Sequence, residues 1–266
     1  MKRTCLALLS YDGAKFVGWQ RQAAGRSVQG VFEGCLARIH GGTRVVAHGA
    51  GRTDAGVHAL AMAVSFTTPR DWELLRLQRA LNALLPEDCW VSAIYHMAPG
   101  FHARRSALAR RYRYDIGTDP EAASPFRRRY EWALGDRLDG ALLSEAAAIV
   151  SGTHDFRAFA AKSSGKPHYR CTLRRVEWLA RDGGTGVSLH VEGDRFLHHM
   201  VRFLVGTMVD IGLGRRPHED MATLLSTTDN QLASPPAPAH GLYFVAAEYP
   251  ASCYAELAEA TECGGP

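Results

Sequence analysis

Apolar positions along this chain switch between two periods, and the switches predict its elements. Residues 4–11 form an apolar, β-prone run that stops at the turn signal Tyr11-Asp12-Gly13. From Ser27 the period changes. Val28, Val31, Phe32, Cys35, Leu36 and Ile39 fall at helical spacing, with Ser27 placed to cap the helix. Two short β-prone runs follow, Val45-Val46-Ala47 and Ala61–Phe66, on either side of a glycine-rich loop. A helix is expected over 71–85, opening at Asp71 and ending before Pro86, and a strand over 89–97. The second half repeats the recipe. Strands are expected over 107–117 and 128–133 and a helix over 138–150. A hairpin of 171–180 and 185–192 turns at Asp182-Gly183-Gly184. A long apolar helix over 195–211, a short one over 217–226 and a strand Leu242–Glu248 complete the chain. The order of elements recurs without a sequence repeat, so the expected fold class is α+β. The boundary falls within 99–106 and divides the chain into domains 1–104 and 105–266. The Pro-rich stretch 234–238 reads as a short ordered loop, and the last dozen residues are expected to fray.

Bulk composition narrows the class. The chain has 266 residues, 46% of them apolar, enough for one large domain or two smaller ones. No stretch approaches the ~18–20 consecutive apolar residues of a membrane span. The start, Met1-Lys2-Arg3-Thr4-Cys5-Leu6, leads into a first strand and lacks a signal-type cleavage site. Cys5, Cys35, Cys89, Cys171, Cys253 and Cys263 are scattered with no C-x-x-C pair. That pattern suits free thiols in a reducing cytoplasmic setting and supports no zinc ribbon or redox motif. Formal net charge is only +4, yet just Lys2, Lys15, Lys162 and Lys166 are lysines among 31 basic residues. Arginines gather at Arg104-Arg105, Arg110-Arg111, Arg127-Arg128-Arg129, Arg174-Arg175 and Arg215-Arg216. Genome composition alone produces such a bias. The clusters suit a nucleic-acid groove and equally suit a soluble surface.

Chemistry concentrates in Gly49-Ala50-Gly51-Arg52-Thr53-Asp54-Ala55-Gly56-Val57-His58-Ala59. Glycines let the backbone turn sharply and approach a ligand closely. A single carboxylate, Asp54, is displayed in that frame, although an aspartate in such a loop is commonly a plain turn former. The run Arg110-Arg111-Tyr112-Arg113-Tyr114 alternates, so Tyr112 and Tyr114 share one face of a strand and Arg111 and Arg113 the other. That describes a half-buried strand, and also a platform for stacking bases. In Phe196-Leu197-His198-His199-Met200-Val201-Arg202 the paired histidines invite a metal reading. Successive helix residues point ~100° apart, and no carboxylate stands at ligand spacing, so a packed or capping pair is expected and no metal. Arg202 on a largely apolar helix needs a partner if buried.

The loop motif resembles the active-site loop of the TruA family of tRNA pseudouridine synthases. Further matches are Tyr11-Asp12-Gly13, Gly18-Trp19-Gln20-Arg21-Gln22, Ser27-Val28-Gln29-Gly30, Phe101-His102-Ala103-Arg104, Arg111 to Tyr114, His198 to Arg202, Gly241-Leu242-Tyr243 and Tyr249-Pro250. The likeness spans nearly the whole chain. It implies two RRM-like α+β domains whose antiparallel sheets join around a central basic cleft, the first carrying the Asp loop and the second completing the active site. It implies a homodimer acting on tRNA, with uridines at positions 38, 39 and 40 of the anticodon stem-loop as targets, and no cofactor. By the same likeness Asp54 is the catalytic nucleophile and Arg202 its partner, Tyr112 stacks on the target uracil, Leu242 walls the uracil pocket, and Arg52 contacts RNA. An adjacent arginine favours the charged carboxylate. Attack at C1′, attack at C6 and proton abstraction from C2′ all require that form. Two departures stand out. Ala61-Met62 replaces the family's usual Gly-Gln, and 161–170 matches weakly. A non-catalytic tRNA-binding protein on the same fold and a uracil-excising enzyme acting on DNA are the competing readings.

Overall fold

A computed structural model describes residues 2–161 and 168–255. In chain order the regular elements are β1 (Arg3–Tyr11), α1 (Val28–Ile39), β2 (His48–Gly49), β3 (His58–Thr68), α2 (Leu74–Leu84), β4 (Cys89–Met97), β5 (Ala109–Gly117), β6 (Trp132–Ala133), α3 (Gly140–Val150), β7 (Gly152–Asp155), β8 (Arg170–Ala180), β9 (Gly186–Gly193), α4 (Met200–Gly212), α5 (Asp220–Ser226) and β10 (Leu242–Glu248). The class is α+β. The chain forms two compact units, 1–110 with 244–266 and 111–243.

In the first unit the strand order is β4-β1-β3-β10, with β2 on β3. β1 runs antiparallel to both β3 and β4. Period-2 alternation sends Cys5, Ala7, Leu9 and Tyr11 to one face, and Met62, Val64 and Phe66 of β3 lie opposite them. Phe66 meets Phe32 of α1 edge to face at 5.7 Å. Ser27 caps α1 as expected, its hydroxyl accepting from Gly30 N at 3.2 Å. Met62, where the family motif has a glutamine, is fully buried opposite Leu9. An apolar side chain fills that core position.

The expected strand at 45–47 is absent, and these residues form no ladder. Side chains of α1 satisfy their backbone instead: Glu33 Oε1 accepts from Ala47 N at 3.0 Å, and Gln29 Nε2 donates to Ala47 O at 3.0 Å. The ladder forms just after them, where His48 and Gly49 of β2 pair with Ser65 and Val64 of β3. α2 starts at Leu74, not Asp71, because Asp71 pairs with Arg3 at 3.4 Å rather than capping.

In the second unit the order is β5-β9-β8-β7, with β6 pairing parallel to β5. β8 and β9 form the expected hairpin around a turn at Asp182–Gly184. Asp139 caps α3 by accepting from Ala141 N and Leu142 N. The predicted strand 128–133 shrinks to Trp132–Ala133. Arg127 is drawn to Asp119 and Glu131, and Arg127 N and Arg128 N both donate to Ser124 O, which curls the segment before it can extend. The helix expected from 195 begins at Met200, because His199 adopts φ +62, a left-handed conformation uncommon outside glycine. The fraying expected of the last dozen residues and most of the weakly matching stretch 161–170 lie outside the described residues, as does Cys263. The other five cysteines are free thiols. Among the described residues no helix is long and apolar enough to cross a membrane.

One ion pair ties the segment after β1 to the loop before β4. Arg26 donates two hydrogen bonds to Asp88, at 2.6 and 2.7 Å, and lies over the Phe16 ring at 4.0 Å. The hydrogen bond from Arg26 pulls the Asp88 carboxyl below the ordinary carboxylate value. A depressed carboxyl stabilises the fold above the unfolded-state pKa, and the contribution is lost as pH falls through the folded one. Asp88→Asn is expected to cost about 1 kcal/mol at neutral pH, the scale of a half-exposed pair. In urea melts the gap to wild type should close below pH ~4. A gap that persists in acid would show that the pair does not set it.

Candidate active site

The loop carrying Asp54 is seated on the segment that follows β1, and most of the seating is backbone. Thr53 is buried, and its hydroxyl lies 2.8 Å from Tyr11 Oη. Trp19 N donates to Thr53 O at 3.0 Å, and Gly56 N to Phe16 O at 3.4 Å. Residues 54–57 close a turn through Val57 N to Asp54 O at 3.2 Å, with Gly56 at φ +79. Beyond the turn, Gly13 N donates to His58 Nδ1 at 3.0 Å, and Asp12 Oδ1 lies 3.1 Å from the same nitrogen. Asp12 also caps the 3-10 turn at Gly13–Lys15 by accepting from Ala14 N.

Two glycines make this approach sterically feasible. A Cβ on Gly13 would stand 2.0 Å from Val57 O. One on Gly18, at φ +107, would stand 2.6 Å from Thr53 O and 3.2 Å from Asp54 C. Backbone cannot yield as a flexible side chain does, so both positions exclude larger residues. On the far side of the loop, Arg110 donates from Nε to Ala50 O at 3.2 Å and also holds the carbonyls of Ala107 and Arg104. The result is a half-buried Asp54 on a fixed turn, with exposed Arg52 two residues before it. Arg104 and Arg105 are exposed as well. Beside them the His48 and His102 rings stack at 4.6 Å, and burial is the main reason the His102 imidazole titrates below its ordinary value.

The other expected site residues belong to the second unit. Tyr112 and Tyr114 share one face of β5 and are buried, as the alternation predicted. Tyr112 meets Phe196 edge to face at 4.9 Å. Tyr114 Oη donates to Pro238 O at 2.8 Å, and burial pushes its phenol well above the ordinary value. Tyr114 is thereby anchored to the Pro-rich loop. Arg202 sits in the first turn of α4. Its Nε donates to Ala237 O at 2.7 Å, while Ala237 N donates to Arg202 O at 2.9 Å. Tyr114 and Arg202 thus grip adjacent carbonyls of the Pro-rich loop, which runs into Leu242, a buried residue at the start of β10. His198 and His199 precede α4 instead of occupying it, so the ~100° separation of helical neighbours does not apply. Their rings pack with centroids 4.0 Å apart. On the opposite face of β5, Arg113 pairs with Asp115 at 3.0 Å, and Asp115 accepts from Ser188 Oγ at 2.7 Å.

Sequence reasoning assigned no role to Tyr11, Asp12, Gly13, Gly18 or His58. Their signal was present as motif matches, but their function is to hold another segment's backbone, and nothing local encodes that partner.

With this loop geometry in place, the chain's ancestry is plain. A family profile described as tRNA pseudouridine synthase matches residues 7–104 and 146–250, and the chain belongs to that family. Among its relatives, tRNA pseudouridine synthase A of Thermus thermophilus is 44% identical over 250 residues, covering 93% of this chain and 97% of that protein. The protein of the same name from Geobacillus kaustophilus is 41% identical, covering 95% and 97%. That from Solidesulfovibrio magneticus is 43% identical, covering 94% and 92%.

The seating generates a stability prediction. Gly13→Ala forces a Cβ into Val57 O and is expected to cost about 2–4 kcal/mol, the scale of overpacking against backbone. Urea unfolding checks it. A change under ~0.5 kcal/mol, the size of an ordinary surface substitution, would mean that the loop moves aside freely.

Proposed function

We propose that this chain isomerises uridine to pseudouridine in tRNA, at positions 38, 39 and 40 of the anticodon stem-loop. The observation that carries the reading is Asp54, the one carboxylate in a glycine-framed loop whose backbone is fixed from beneath. In the reaction the N1–C1′ bond breaks and a C5–C1′ bond forms. The C5 proton leaves and N1 gains one. Nothing is oxidised, reduced or hydrolysed, so the balance requires no cofactor.

In this reading Asp54 is the nucleophile and Arg202 its cationic partner. The uracil leaves its stack before reacting, as nucleic-acid enzymes that act on bases require. Tyr112 stacks on it, Leu242 excludes water from the detached base, and Arg52 contacts RNA where the base has left. The functional division is 1–104 for the Asp loop and 105–266 for the remaining groups. In this reading the setting is the cytoplasm and the assembly a homodimer, for which sedimentation should give the mass of two chains.

Tritium release from tRNA labelled at uracil C5 tests the reading. Wild type should release tritium without free uracil, and Asp54→Asn should release none while still binding tRNA. Free uracil in the product would point to excision. Turnover by Asp54→Asn would remove the nucleophile assignment. Tight tRNA binding without release by wild type would point to a binding protein.

A further inference from the structure

Phe126 is the most exposed large apolar side chain among the described residues, at 87% of its full exposure. An exposed phenylalanine on a loose loop is unremarkable, but this one stands on a braced base. Arg127 donates to both Asp119 oxygens, at 2.6 and 2.8 Å, and to Thr185 O at 3.2 Å, and it pairs with buried Glu131 at 2.8 Å. The Arg127 bonds hold the Asp119 carboxyl down at about 2. Phe126 N donates to Ser124 Oγ, Arg127 N and Arg128 N to Ser124 O, and Tyr130 N to Arg127 O. Tyr243 Oη donates to Tyr130 O at 2.5 Å. A turn this constrained fixes the direction in which Phe126 leaves the backbone, so little backbone entropy is lost on contact.

Its neighbours indicate what the partner is. Arg128 and Arg129 are exposed and have no carboxylate partner among the described residues, and half-exposed Tyr130 has the Arg129 guanidinium 6.0 Å from its ring. An aromatic ring flanked by available arginines suits a base and its phosphates better than an apolar protein surface, where unpaired guanidinium groups would lose hydration. The turn also neighbours the segment that leads into Leu242. The His240 imidazole, which burial pushes below its ordinary value, feels the Arg128 charge and the Glu131 backbone. His240 stands two residues before Leu242.

We propose that the 124–130 turn is an RNA-docking element in which Phe126 stacks on an unpaired base of the substrate while Arg128 and Arg129 contact its phosphates. The proposal rests on the tRNA reading above and adds a contact outside the groups assigned there. Stacking accepts any base, so the turn supplies affinity and orientation, not sequence choice.

Binding of an unmodified tRNA transcript, followed by fluorescence anisotropy, tests it with the full chain. Phe126→Ala should bind roughly tenfold more weakly, the order of one lost base stack, with an unchanged melting temperature because the ring packs on nothing. Phe126→Trp should restore affinity and Phe126→Leu should not. Arg128→Gln and Arg129→Gln should each lower the slope of log affinity against log salt by about one counterion. Unchanged affinity in Phe126→Ala, or leucine rescuing as well as tryptophan, would overturn the proposal. So would a fall in sedimentation mass in Phe126→Ala, which would assign the ring to a second copy of the chain. If wild type makes pseudouridine and Phe126→Ala binds equally well, only this proposal fails. If wild type neither binds nor modifies tRNA, the functional reading fails with it.

Discussion

The candidate site depends on two stretches of backbone lying in contact, residues 13–19 beneath residues 53–58. Carbonyls and amides meet there without intervening side chains, because Gly13 and Gly18 present none. Side-chain packing could hold such a loop only to within the play of rotamers, whereas direct backbone contact fixes it against the segment that follows β1. Tyr11 and Asp12 extend the anchorage, one to Thr53 and the other to His58. The Arg26–Asp88 pair holds the same segment from its other end. A carboxylate that must meet a reacting carbon needs this kind of support, since a displacement of about 1 Å costs on the order of a hundredfold in rate.

The second unit uses another device for the same end. There Arg202 and the neighbouring Tyr114 are held through carbonyls of an irregular Pro-rich loop, Tyr114 on Pro238 and Arg202 on Ala237. Proline removes donors from that loop, so its carbonyls are its main means of attachment. The hydrogen bond that Tyr114 donates to Pro238 O ties up one of the two tyrosines on this strand face, and the contact proposed with the base falls to Tyr112, nearer the strand's start.

Much of this was legible in the sequence because period and capping are local. The alternation in β1, β3 and β5, the Ser27 cap and the hairpin at 182–184 follow from neighbouring residues alone. What failed was set by distant partners. Residues 45–47 took side chains of α1 in place of a strand, Arg127 curled the expected strand at 128–133, and the left-handed His199 cut the first turn from α4. In the candidate site, Asp54, Tyr112 and Arg202 stood out because their motifs are long. The residues that hold the loop were visible only as matches without a role, since a glycine's importance lies in the atom it allows to approach.

The most direct measurement joins loop order to chemistry in one variant, Gly18→Ala, whose Cβ would press on Thr53 O. Hydrogen exchange at the amides of 53–57 would be read beside the single-turnover rate of pseudouridine formation at saturating enzyme. If seating governs the chemistry, exchange accelerates and the rate falls roughly tenfold or more, with tRNA affinity unchanged. Faster exchange with an undiminished rate would contradict the account, because the carboxylate would then work as well on a loosened loop as on a fixed one.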